Sequence, residues 1–143
     1  MRKIFILSIL ILIVTNLFTQ NMEGFSKIEI RKLEGNPVKL IADDWMLVTS
    51  GKESDYNTMT ASWGGFGNLW NNPVAFIFIK PIRYTYTYLE KNERFTLTFF
   101  DHKEYKDELL ICGTKSGRDC EKVKMAGLTP LKLKSGEMAF SEA

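Results

Sequence analysis

The chain has 143 residues, 45% of them hydrophobic and 13% aromatic, enough for the core of one domain and too apolar for a disordered tract. Its 19 basic residues fall to 17 once Arg2 and Lys3 are set aside, matching the 17 acidic ones, so no electrostatic excess points to nucleic acid. Two cysteines and a single histidine make no disulfide framework and offer none of the spacings that metal sites use.

Residues 1–20 differ in kind from the rest. Arg2 and Lys3 precede an apolar stretch, Ile4 to Val14, broken only by Ser8. That is the layout of a secretory signal peptide, and it is short of the ~20 residues that a membrane span needs. No Ala-x-Ala stands before Asn21, so an uncleaved membrane anchor stays open as the alternative. The expectation is an exported protein of the periplasm or cell envelope, touching the membrane only through this segment, with residues 21–143 as its folded domain.

Short strands punctuated by turns follow. Trp45 to Thr49 reads as a first strand, Gly51 to Asp55 as a polar turn and Tyr56 to Trp63 as a second strand. Val74 to Ile79 is apolar on both faces, which predicts a central strand ended by Pro81. Arg83 to Tyr88 alternates with period two and by periodicity favours a strand, although a short helix also fits its place in the chain. Phe95 to Phe99 alternates as a half-buried strand does. Lys103 to Ile111 reads as a helix, Asp119 as the cap of another running to Met125 and ended by Gly127, and Leu131 to Phe140 as a hairpin. Cys112 and Cys120 are expected to be two isolated thiols, with a disulfide across the flexible loop between them as the alternative, and His102 a solvated loop histidine.

The run Asn57-Thr58-Met59-Thr60-Ala61-Ser62-Trp63-Gly64-Gly65-Phe66-Gly67 carries the most chemistry. Its hydroxyls can bond a polar rim, its glycines admit close backbone approach, and Trp63 and Phe66 offer flat apolar surface. A flavin needs all three; a strand followed by a tight surface turn has the same composition.

Three further blocks occur in order after this one: Lys80 to Tyr86, Asn92 to Phe100, and Cys112 to Asp119. With these four blocks the chain resembles the flavin reductase-like family, the FMN-binding split-barrel or flavoredoxin type, from about Trp45 to Pro130. The resemblance implies a mainly β fold, a split β-barrel with short flanking helices, in which Arg83 to Tyr88 is a short helical connection. It also implies a homodimer with FMN near the subunit interface. Asn57, Thr58, Met59, Thr60, Ala61, Ser62 and Trp63 then correspond to the stretch lining the ring and ribityl chain, with Thr60 and Ser62 supplying hydroxyls. Arg83 and Thr85 correspond to the part that reaches the FMN phosphate, where a guanidinium suits the anion. Ser116, Gly117 and Arg118 lie in a loop able to close over the ligand. Family members usually continue for another strand or two beyond this hairpin, so a barrel lacking its last strands is expected.

Because the flavin accepts hydride itself, no catalytic side chain is expected. The implied activity is an FMN-dependent oxidoreductase, with electrons from NAD(P)H or another small-molecule or redox-protein donor passing to a flavin, ferric or small-molecule acceptor. The alternative is a non-catalytic FMN-binding electron carrier of the cell envelope.

Overall fold

The computed structural model describes residues 25–143, so the expected leader lies outside the described residues. Among the described residues two elements precede strand β1: a 3-10 turn at Ile30–Lys32 and helix α1 at Pro37–Ala42. Sequence periodicity missed α1 because the helix is too short to show one. Its signal is local: Pro37 takes the first helical position, and the Asn36 side chain accepts the amides of Val38 and Lys39.

Strands β1 (Met46–Lys52), β2 (Asp55–Ala61) and β5 (Phe95–Thr98) form an antiparallel sheet in the order β2-β1-β5. The register pairs Met46 with Ala61 on one side and Leu47 with Thr98 on the other. Gly51 makes the β1–β2 turn possible: its φ is 109°, and a Cβ there would sit 2.3 Å from the Asp55 carbonyl oxygen. β1 is the central strand, buried along nearly its whole length. Its alternation feeds two cores. Leu47 joins Phe100, Leu109, Cys112, Leu128 and Phe140 on one face, while Met46 and Val48 join Ile41 and Ala61 on the other.

Val74 to Ile79 was expected in that central place and is not there. β4 (Asn72–Ile77) instead pairs with β3 (Gly64–Leu69) in a separate two-stranded hairpin. Trp70 and Asn71, both with positive φ, make its two-residue turn. The glycine-rich stretch after Trp63 is thus a strand as well as a place of close approach, Gly65 lying against the Phe76 ring. Apolarity on both faces of β4 demands cover without saying what supplies it: Phe76 and Phe78 remain exposed, stacked edge to face at 5.8 Å.

Arg83 to Tyr88 is likewise no strand. Helix α2 spans Tyr84–Lys91, as the family resemblance implied and the period-two reading did not. A period of two contains a period of four, so Tyr84 and Tyr88 stack along one face and Thr85 and Leu89 turn inward. Helix α3 (Lys106–Thr114) starts three residues later than expected because Asp101 first organises a turn, accepting the Lys103 amide on its side chain. Helix α4 (Lys122–Met125) is shorter than predicted. Glu121, not Asp119, holds its cap position, and the Gly127 amide closes it on the Lys124 carbonyl.

The expected hairpin forms from β6 (Pro130–Lys132) and β7 (Met138–Phe140). β7 is wholly buried, and Thr96 of β5 donates to the Met138 carbonyl at 2.6 Å. The architecture is therefore mainly β with short helices, the described residues forming three sheets that do not close into one barrel. Phe140 has no exposed surface and packs against Phe100. Phe140→Ala is expected to cost about 3–5 kcal/mol in urea unfolding; a loss below about 1 kcal/mol would separate β7 from the core.

Candidate functional site

The site begins with one buried hydrogen bond. Asn57 Nδ2 on β2 donates to Thr85 Oγ1 at 2.7 Å, fastening the first turn of α2 to the sheet. Thr85 Oγ1 keeps its own proton to donate. Gly117 closes the other side: a Cβ there would lie 2.1 Å from Asn57 Oδ1. The turn carrying Gly117 is tied by Ser116, whose carbonyl accepts the amides of Asp119 and Cys120 and whose hydroxyl accepts that of Arg118. Of the predicted site residues, Asn57, Thr85 and Gly117 thus meet in direct contact.

Beside this contact is a cavity of about 130 Å³, lined by Met59, Arg83, Thr85, Ser116, Arg118 and Lys122 among others. Four cations border it: Arg83, Lys115, Arg118 and Lys122. The ion pairs of the described residues join Lys39 to Asp44, Arg94 to Glu137, Lys124 to Glu121 and Lys132 to Glu53, so no carboxylate neutralises any of the four. The start of α2 also faces the cavity, and its cap residue Arg83 offers no side-chain acceptor to the first-turn amides. Positive charge, free amides and a donor-ready Thr85 make a seat for an anion.

Lys122 is the residue that sequence reasoning missed. It is only 5% exposed, and its Nζ donates to the carbonyls of Cys112 and Lys115 at 3.2 Å each, capping the C-terminal end of α3. Burial, aided by the nearby Arg83 charge, lowers its pKa from 10.5, against the opposing influence of Cys112 and Cys120. Burial also pushes the Cys112 thiol up to about 11. Both cysteines are free thiols, as expected. The only signal for Lys122 in the chain was a lysine just beyond a glycine-containing loop, which ordinarily marks a solvated face.

The rest of the predicted stretch divides by strand face. Thr58 has no exposed surface: its Oγ1 accepts from Thr49 at 2.8 Å and donates to the Val48 carbonyl. Thr60 donates to the Leu109 carbonyl and holds α3 against β2. Ala61 is buried in the second core. Met59 reaches the cavity. Ser62 and Trp63 connect β2 to β3, with Trp63 73% exposed. His102 departs from the solvated role expected of it. Its Nδ1 lies 3.1 Å from the Asp44 carbonyl oxygen, and its ring packs edge-on against Trp45, so it ties the α1 segment to the β5–α3 loop.

A larger cavity, about 730 Å³, lies between α1 and the β3–β4 hairpin. Of the run singled out in the sequence only Phe66 and Gly67 line it, and its walls are mainly apolar. Among the described residues no group of His, Cys, Asp and Glu could hold a metal ion.

Residues 39–143 match the family model of the flavin reductase like domain, and the chain belongs to that family. Among solved structures, flavoredoxin of Desulfovibrio vulgaris (Miyazaki F) is similar with a TM-score of 0.62 at 21% identity, over 82% of this chain and 61% of its own. An FMN-binding domain of a flavin reductases-like enzyme from Shewanella baltica OS155 gives 0.66 at 15% identity, over 81% of this chain and 59% of its own. An FMN-binding protein from Thermus thermophilus with bound 1-cyclohex-2-enone gives 0.61 at 21% identity, covering 83% and 64%. The chain thus spans about three fifths of the length of these structures, which share its fold. No protein of curated function matches it.

Gly117→Ala is expected to force the 116–119 turn off Asn57 and to destabilise the protein by about 1–3 kcal/mol in thermal unfolding; an unchanged melting temperature would show that the turn adapts freely. Lys122 gives a second test. Its folded pKa lies below 10.5, so the unfolded chain holds more protons just under that pH. The stability of the wild type relative to Lys122→Met should rise as pH climbs toward 10.5 and fall back at lower pH. A pH-independent difference would mean that the ammonium is solvated.

Proposed function

We propose that the chain binds FMN as a redox protein of this family, its cation-lined cavity taking the phosphate. The observation that carries the proposal is the set of four cations without carboxylate partners around the start of α2. A drug-sized ligand fills ~300 Å³ or more, so a cavity of about 130 Å³ accepts only the anionic end of a cofactor. The ring lies outside it, where Ser62 and Trp63, which keep accessible surface, can meet it.

Within this reading each side chain has a physical task. Arg83 and Arg118 offer planar forks to phosphate oxygens. Thr85, oriented by Asn57, donates its hydroxyl proton. Lys122 adds a fixed positive charge whose burial strengthens its field. Bound FMN supplies hydride and single-electron transfer, which is why no acid–base pair is required of the protein. The donor is NAD(P)H or another reductant, and the acceptor a flavin, ferric or small molecule; oxidation of NADH or NADPH by the purified protein separates this enzyme from a pure electron carrier.

A homodimer is part of the same proposal. The β3–β4 hairpin exposes Phe76 and Phe78, with Trp63 and Ile82 nearby in sequence, and a second copy laid on this face would supply the cover that β4 lacks. The N-terminal segment supports export to the periplasm or cell envelope.

Purified protein should carry the visible absorbance of bound flavin, or acquire it on adding FMN. Arg83→Ala should lose about 1.5–3 kcal/mol of FMN affinity, roughly ten- to a hundredfold. Undiminished FMN affinity in that variant would remove Arg83 from the phosphate site, and a colourless protein that takes up no FMN would reject the proposal as a whole.

A further inference from the structure

The proposed phosphate site has a cover, and the cover has a fastening that the cofactor reading does not use. Arg118 sits on the turn that closes over Asn57, with its guanidinium 4.7 Å from the centre of the Tyr84 ring and its Nη1 3.5 Å from the Ile82 carbonyl oxygen. Gly117, one residue earlier, approaches the same Tyr84 ring, a Cβ there lying 3.4 Å from it. Tyr84 is not free to move. Its ring meets Tyr88 edge-on at 5.3 Å, the two hydroxyls are 3.5 Å apart, and Tyr88 donates to Asp55 at 2.7 Å. The hydrogen bonds to Tyr84 and then to Asp55 raise the Tyr88 pKa, so the hydroxyl keeps the proton that it donates to Asp55.

We infer that Tyr84, braced by Tyr88 and Asp55, is a positioning residue that holds Arg118 and the 116–119 turn closed over the cavity before any anion arrives. Arg118 is thereby ordered in advance, and its entropy is not lost again when a phosphate binds. A guanidinium over a ring face keeps its N–H edge available, so the stacking and an in-plane contact to an anion are compatible. The inference rests on the FMN reading for the identity of the anion, but the closed turn is a property of the protein alone.

Hydrogen exchange of the cofactor-free protein tests it first. The Asp119 and Cys120 amides, both bonded to the Ser116 carbonyl, should exchange about fivefold faster in Tyr84→Leu, the factor for losing one exposed cation–π contact. Arg118→Ala should show a similar increase, and the double variant no more than either single one. Tyr84→Phe, which keeps the ring face, should exchange nearly as slowly as the wild type. Additive effects of the two substitutions, or a Tyr84→Leu variant with wild-type exchange at these amides, would overturn the inference. FMN titration is the second arm: Tyr84→Leu should weaken binding about fivefold, and only while Arg118 is present. Wild-type protein that ignores FMN rejects the cofactor reading, whereas wild-type binding that Tyr84→Leu leaves intact rejects the positioning role.

Discussion

The buried bond from Asn57 to Thr85 is the constraint on which the site depends. It joins a residue of the sheet to the first turn of α2, elements 28 positions apart in the chain. Through it the start of α2 is aimed at the cavity, and the Asn57 carboxamide becomes the surface on which Gly117 rests. Break it, and two polar groups are buried without partners while the turn bearing Arg118 loses its floor. The same bond links fold to function: β2 pairs along its whole length with the buried central strand β1, so the phosphate end of the proposed cofactor is referred to the most deeply buried part of the molecule.

A cluster of unpaired cations costs stability in an empty protein. Arg83, Lys115, Arg118 and Lys122 repel one another, and Lys122 also bears the cost of burial. The structure offsets this with dipoles instead of carboxylates: two helix-end carbonyls receive the Lys122 ammonium, and a tyrosine face receives Arg118. Neutralisation is left to a ligand. The β3–β4 hairpin is likewise left incomplete, with Phe76 and Phe78 exposed.

Much of this was legible in the sequence. The mainly β character followed from short alternating runs bounded by turn residues, and the four ordered blocks pointed to the family. Asn57, Thr85 and Gly117 were marked by the resemblance, and they are the residues in contact. What periodicity misjudged has definite causes. Tyr84, Tyr86 and Tyr88 alternate, yet residues four apart also share a helix face, so the pattern alone could not separate strand from helix. Val74 to Ile79 resembled a central strand because apolarity reports a need for cover and not its source. The hydroxyls of Thr58 and Thr60 looked alike in sequence; only the strand pairing and α3 show that both bond within the protein. Lys122 was hidden because one lysine in a short helix looks like any other until the end of α3 closes over it.

The central claim is that the cradle at the start of α2 recognises the charged tail of the cofactor. Titration calorimetry with FMN and with riboflavin, identical except for that tail, tests it most directly. The account predicts that FMN binds at least about tenfold more tightly, as expected for a charge-assisted contact, and that the advantage shrinks as salt is added. Equal affinity for the two, unaffected by salt, would contradict it.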